Sequence, residues 1–338
     1  NGLATHQVKP GDRVVQISAN CYAWIVTDLA ILSLGAVHVP MHATLSMGQY
    51  VEQIADCGAR VVFLSADAQA KIQGHLARGL TLICHDRDPG TGTGTGTEAS
   101  ARANAAHPSA GDLATLIYTS GTTGRPRGVM LSHQNLISNA LSVTEAVGSQ
   151  ADETRLSFLP FSHIYARTCD LTSWIYCGSR LVLAESRETI LRDCQLVRPS
   201  VINGVPYFYQ KIAQQLPRAE PGSLQALLGG RIKRCFCGGA AVAPEVEAIF
   251  EDQGLPLLSG YGLTEASPVI TATALKNYQP GTVGVPLGGV EVRLAENREI
   301  CVRGPGVMLG YWNDSAATQE TIVNGWLQTG DLGEWDAS

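Results

Sequence analysis

The chain has 338 residues, a formal net charge of −6 and 45% hydrophobic residues, enough apolar material for two or three lobes of a globular protein. The acidic balance, with no Lys/Arg cluster longer than two residues, argues against a nucleic-acid partner. The nine cysteines are odd in number and lack Cys-X-X-Cys spacing, so they read as reduced core thiols of a cytoplasmic protein.

In chain order, 13–18 reads as a strand, 22–34 as a helix ending at Gly35, and 36–40 as a second strand, a βαβ unit. The window 22–41 is the most apolar, but Asp28, Gly35 and His38 interrupt it, which favours a buried helix and strand over a membrane span. A helix at 46–57, a strand at 60–64, a helix at 67–78 and a strand at 80–84 continue the alternation and predict a largely parallel, helix-covered sheet. Residues 89–100 alternate Gly and Thr, and 89–110 is read as a flexible linker.

The stretch from Leu113 to His133 is an apolar run feeding a loop of hydroxyls, glycines and arginines, 118–128. Glycines let backbone N–H groups face an anion, and Thr119, Ser120, Thr122 and Thr123 add hydroxyl donors, with charge from Arg125 and Arg127. Pro126 breaks the Walker pattern and keeps a helix from starting on the phosphate, which sets aside a P-loop NTPase. A strand at 129–131 and a helix N-capped by Ser132 should follow.

From 155 the alternation resumes: strands at 156–159, 180–184, 200–202, 234–237 and 255–258, with helices at 164–176, 186–196, 206–215 and 244–252. After Pro280, short Gly/Pro-punctuated strands at 290–294, 299–303 and 326–328 suggest a small β-barrel-like subdomain. The expected fold is therefore α/β, two helix-covered, largely parallel sheet lobes with a cleft between them. The lobes are read as 1–150 and 151–280, with an incomplete β subdomain at 281–338. Clefts at strand C-terminal ends are where α/β proteins bind ligands.

Several strands end in chemically useful residues. His163 follows one; Gly239 and Ala240 follow another, where backbone could lie against something flat; Gly260, Tyr261, Gly262, Thr264 and Glu265 follow a third. A Tyr between glycines can face a planar ring, and a lone carboxylate suits Mg²⁺ held mainly by substrate phosphates. Asp331 sits in a turn suited to a ribose.

Taken together, Tyr118-Thr-Ser-Gly-Thr-Thr-Gly-Arg-Pro-Arg-Gly128, Gly260-Tyr-Gly-Leu-Thr-Glu265 and Thr329-Gly-Asp331 resemble the signature motifs of the adenylate-forming superfamily. Within it, 156–168, 28–40 and Cys237-Gly-Gly-Ala-Ala241 are most similar to bacterial long-chain fatty acyl-CoA synthetases. The resemblance implies that ATP and a fatty acid form an acyl-adenylate and pyrophosphate, after which coenzyme A displaces AMP. It places the β- and γ-phosphates on Thr119, Ser120, Gly121, Thr122, Thr123, Gly124 and Arg127, the last standing where the family usually has Lys. It puts Mg²⁺ on Glu265 and Thr119, the α-phosphate on Thr264, and adenine against Tyr261, Gly239 and Ala240. The ribose falls to Asp331 and the acyl carboxylate to His163; His163, Thr264 and Glu265 form the implied catalytic set.

The chain begins at Asn1 without Met and ends at Ser338 while a strand pattern is developing, so both ends read as cut. The resemblance implies a C-terminal domain of the same polypeptide, carrying a catalytic lysine, beyond Ser338; without it, ATP or acyl-adenylate binding with weak or no turnover is expected. Alternatives are a medium-chain or aryl-acid activator and a non-catalytic nucleotide- or lipid-binding module. The expected location is the cytoplasm. A long-chain substrate leaves peripheral contact with the inner membrane open, although no amphipathic basic helix is evident.

Overall fold

In the computed structural model the apolar runs at the start of the chain become β1 (Arg13–Ile17), β2 (Val37–Met41), β3 (Val61–Leu64) and β4 (Thr81–Cys84). They are joined by β5 (Leu113–Ser120) and β6 (Pro126–Ser132) in the order β6-β5-β2-β1-β3-β4. β1 to β5 pair in parallel, β6 turns back antiparallel on β5, and the two-residue strand Gly310–Tyr311 adds to β6. Parallel strands buried on both faces need near-continuous apolar runs, which Val14, Val15, Ile17, Val37, Val39 and Met41 supply.

The helix Met47–Cys57 shows how locally its ends are written. Ser46 accepts from Gln49 N while Gln49 Oε1 accepts from Ser46 N, a capping box, and Gly58 closes the helix at φ +63°. The structure describes residues 3, 6–72, 74–75, 79–85, 108–120, 126–216 and 220–337. Most of the expected linker and the loop residues Gly121, Thr122, Thr123, Gly124 and Arg125 lie outside them. The chain forms two compact units, Asn1–Gln134 with Met308–Glu320 and Asn135–Val307 with Thr321–Ser338.

The second unit has its own sheet: β7 (Thr154–Ser157), β8 (Arg180–Leu183), β9 (Val201–Gly204), β10 (Arg234–Cys237), β11 (Leu257–Gly262), β12 (Val269–Ala272) and β13 (Val285–Pro286), ordered β13-β12-β11-β10-β9-β7-β8. β7 to β11 pair in parallel and β12 and β13 run antiparallel. Leu156, Ile202, Tyr209, Phe250 and Leu257 fill its core. A small antiparallel sheet is built from Glu291–Leu294, Glu299–Arg303, Trp326–Leu332 and Ile322–Val323. All nine cysteines are unbridged, and burial raises the thiols of Cys57 to about 11 and Cys169 to about 12, which keeps them protonated and inert.

The expected helix 164–176 is not continuous. Ile164–Ala166 and Ser173–Cys177 are α-helical, but Arg167–Thr172 between them is a π-helix. The side chains of Thr172 and Ser173 donate back to the carbonyls of Arg167 and Thr168, at 2.9 and 3.0 Å, the five-residue step that a π turn favours.

Asp170 lies inside this turn, 1% exposed, accepting from Ser157 Oγ at 2.7 Å and Asn203 Nδ2 at 2.5 Å. Burial raises its carboxyl above the ordinary range, opposed by Ser157, Arg155 and Asn203. The folded state therefore holds a proton that the unfolded chain has released. Its contribution is fully present below the unfolded pKa and is lost as pH rises through the raised folded value. The stability of Asp170→Asn relative to the parent protein is accordingly expected to rise with pH across that window. Urea unfolding of both proteins at stepped pH checks this; a flat or falling difference would contradict it.

Candidate active site

In the first unit, β5 and β6 form a hairpin whose last paired residues are Thr119 with Arg127 and Ser120 with Pro126. The hairpin is pinned near its last pairs. Tyr118 Oη donates to Asp56 Oδ2 at 2.5 Å, while Trp312 Nε1 and Asn313 Nδ2 donate to Asp56 O at 3.0 and 3.2 Å. A Cβ on Gly128 would stand 3.2 Å from Trp312 Cβ and 3.3 Å from the Tyr118 ring, so glycine lets these side chains close over the strand. Arg127 is held by Asp314 Oδ2 at 3.5 Å and lies over the Tyr311 ring at 5.3 Å.

In the second unit, β11 ends at a bulge between Tyr261 and Gly262, followed by the single 3₁₀ turn Thr264–Ala266. Gly262 is required by space, because a Cβ there would come within 1.8 Å of Pro268 O. Tyr261 Oη donates to Asp331 Oδ2 at 2.8 Å, so two residues 70 apart in sequence are brought together. Burial raises the Tyr261 phenol, and the Asp331 carboxylate adds to the shift, so it remains a proton donor. Asp331 is exposed at the mouth of a turn in which its N–H donates to Thr329 Oγ1 at 3.1 Å and Gly330 N donates to Glu299 Oε1 at 2.9 Å.

Gly239 and Ala240 are exposed just past β10; Gly239 has φ +86°, a conformation glycine adopts without strain. Thr264 and Glu265 are half-buried on the 3₁₀ turn. Among the described residues no group of three or more His, Cys, Asp or Glu is arranged to hold a metal. A single carboxylate suits a hard cation whose other ligands are substrate phosphates and water.

His163 caps the helix Ile164–Ala166, its Nδ1 accepting from Tyr165 N at 3.2 Å. An accepting Nδ1 places the proton of the neutral ring on Nε2. His163 and Gly239 both border a cavity of about 490 Å³. Its apolar walls include Phe158, Tyr165, Ile190, Leu191, Val205 and Phe208, with Arg187, Glu188, Lys211 and Gln215 as polar members. Phe158 and Tyr165 belong to the 156–168 segment, while Ile190, Leu191, Val205 and Phe208 carry no local sequence signal beyond apolar character. The cavity takes residues after β7, β8, β9 and β10, spanning three strand spacings, about 14 Å.

The family described as AMP-binding enzyme matches residues 1–312. A long-chain-fatty-acid–CoA ligase of Mycobacterium bovis is 30% identical over 99% of this chain and 65% of its own length, and a feruloyl-CoA synthase of an Amycolatopsis species is 33% identical over 99% and 68%. The chain thus spans about two thirds of the length of these two relatives. Among solved structures, ATP-bound MatB from Rhodopseudomonas palustris superposes with a TM-score of 0.86 at 27% identity, covering 100% of this chain and 69% of that one. The o-succinylbenzoate CoA synthetase of Bacillus subtilis with its acyl-adenylate intermediate gives 0.83 at 25% identity, over 99% and 68%. Among the described residues no helix is long and apolar enough to cross a membrane.

Proposed function

The chain belongs to the AMP-binding enzyme family, and from that premise we propose that it activates a long-chain fatty acid with ATP for transfer to coenzyme A. Its relatives include CoA ligases for long-chain fatty acids and for ferulic acid. The observation that carries it is the 490 Å³ apolar cavity beginning at His163 and Gly239. Apolar walls such as Phe158, Ile190, Leu191, Val205 and Phe208 suit a hydrocarbon chain, whose burial adds affinity with each methylene.

In this reading the acid carboxylate lies at His163, whose Nε2–H can donate to it. Tyr261 covers the adenine face, Gly239 and Ala240 meet its edge, and Asp331 accepts both ribose hydroxyls. Thr264 would donate to the α-phosphate, and Glu265 would hold Mg²⁺, which would supply charge neutralisation for the pyrophosphate leaving group. The β5–β6 hairpin, taken by itself, offers Thr119, Ser120 and the loop 121–124 as a phosphate-binding element, with Arg127 anchoring its second strand. Phosphoryl-type chemistry needs little covalent help and much positioning, which these residue types supply.

The test is equilibrium binding of acyl-sulfamoyladenosines, stable mimics of the adenylate, carrying octanoyl, hexadecanoyl or feruloyl groups. Each buried methylene is worth about 0.8 kcal/mol, roughly fourfold in affinity, as an upper figure. The hexadecanoyl compound should bind tightest. A preference for octanoyl or feruloyl would overturn the long-chain assignment while leaving adenylate formation standing.

A further inference from the structure

The helix His133–Val147 carries two buried amides one turn apart, Asn135 and Asn139, 6% and 3% exposed, beside the apolar Leu136, Ala140 and Val143. Buried amides are costly unless their hydrogen bonds are made. Those of Asn139 all go to one place. Its Nδ2 donates to Val269 O at 2.7 Å and to Ala266 O at 3.3 Å, and its Oδ1 accepts from Val269 N at 3.1 Å.

The segment gripped in this way is the backbone immediately after Thr264 and Glu265. Ser267, fully buried at φ +76°, reverses the chain there. Its carbonyl accepts from Thr168 Oγ1 at 3.0 Å and its hydroxyl donates to Gly306 O at 2.7 Å. Asn135 Nδ2 in turn donates to Pro305 O at 2.7 Å and Val307 O at 2.9 Å, fixing the segment that receives Ser267. Thr168 belongs to the π turn, which departs from helical geometry where it reaches Ser267. A three-residue 3₁₀ turn has little rigidity of its own; its other backbone closures include Leu263 N to Pro268 O at 3.0 Å, Ala266 N to Leu263 O at 2.9 Å and Ser267 N to Thr264 O at 3.1 Å.

We propose that Asn139, seconded by Thr168, is a positioning residue that sets the Thr264–Glu265 turn for the α-phosphate and its Mg²⁺. The proposal rests on the roles given above to Thr264 and Glu265. Neither Asn139 nor Thr168 touches the nucleotide; they act through the carbonyls of Ala266, Ser267 and Val269. Removing a partner that orients a metal ligand lowers metal affinity by about ten- to a hundredfold, and a displacement of about 1 Å in a positioning group can matter as much.

The test compares the binding of MgATP and of adenosine to this chain and to its Asn139→Ala and Thr168→Val variants, by calorimetry over a Mg²⁺ series. Adenosine reports the Tyr261 and Asp331 contacts, and MgATP reports the turn as well. Asn139→Ala is expected to weaken MgATP binding about ten- to a hundredfold and to raise the Mg²⁺ needed for half-saturation, with adenosine affinity within about twofold. Thr168→Val, nearly isosteric and so expected to fold, should move MgATP the same way by a smaller factor, and decides the matter if Asn139→Ala does not fold. Equal losses for both ligands, or unchanged MgATP binding, would overturn the proposal. A parent chain that binds adenosine without any Mg²⁺-dependent gain for ATP would overturn it together with the assignment of Thr264 and Glu265.

Discussion

Replacing Asp28 with alanine is expected to lower the unfolding free energy of the first unit by about 1–3 kcal/mol, the range for leaving a buried polar group without its hydrogen-bond partner. Asp28 Oδ1 lies 2.6 Å from His38 Nδ1, with side chains 4% and 0% exposed. His38 stands in β2, flanked by β1 and β5, and its ring meets Trp24 edge-on at 5.2 Å. Thr115 Oγ1 donates to His38 O at 2.7 Å from the neighbouring strand. Water cannot easily replace the lost carboxyl group in such surroundings, so the imidazole would lose its Nδ1 partner. Leucine at both positions should recover much of the loss, since apolar replacement of a whole buried pair is often close to neutral. Urea unfolding of the single and double variants measures both; a loss below about 1 kcal/mol for Asp28→Ala would show that the pair contributes little.

Alanine in place of Asp331 should weaken adenosine and AMP binding by about ten- to a hundredfold, which corresponds to the 1.5–3 kcal/mol typical of hydrogen bonds to a charged group. The carboxylate is exposed, yet one oxygen is already oriented by Tyr261 Oη at 2.8 Å. Tyr261→Phe keeps the ring and removes that orienting bond, so its expected effect is smaller, about 0.5–1.5 kcal/mol. Calorimetric titration with AMP distinguishes the two. Asp331→Ala binding AMP as tightly as the parent chain would remove Asp331 from the ribose contact, whatever the acid bound.

Much of the local structure was legible because its causes are local. Ser46 with Gln49, then Gly58, mark both ends of a helix within thirteen residues, and the apolar runs of β1 and β2 declare buried parallel strands. The turn after β11 was legible for the same reason: Gly262 stands where a Cβ has no room. The interrupted helix was not. Its apolar spacing over 164–176 fits a continuous helix, and the π turn depends on hydroxyls at 172 and 173 and on partners at 157, 203 and 267 contributed by other elements.

By itself the sequence determined most strands and helices of the two α/β lobes, that the sheets are largely parallel and buried, and which chemically competent side chains sit at strand ends, since propensity, periodicity and turn chemistry act over a few neighbours. Only the tertiary structure decided what those side chains do. The sequence offers Arg127 as a phosphate ligand and says nothing of Asn139, whereas the structure holds Arg127 on Asp314 and Tyr311 and sets Asn139 against Ala266 and Val269. The cavity likewise exists only where walls from several strand ends and helices meet. These arrangements depend on burial and on contacts between residues far apart in the chain, and no local pattern specifies either.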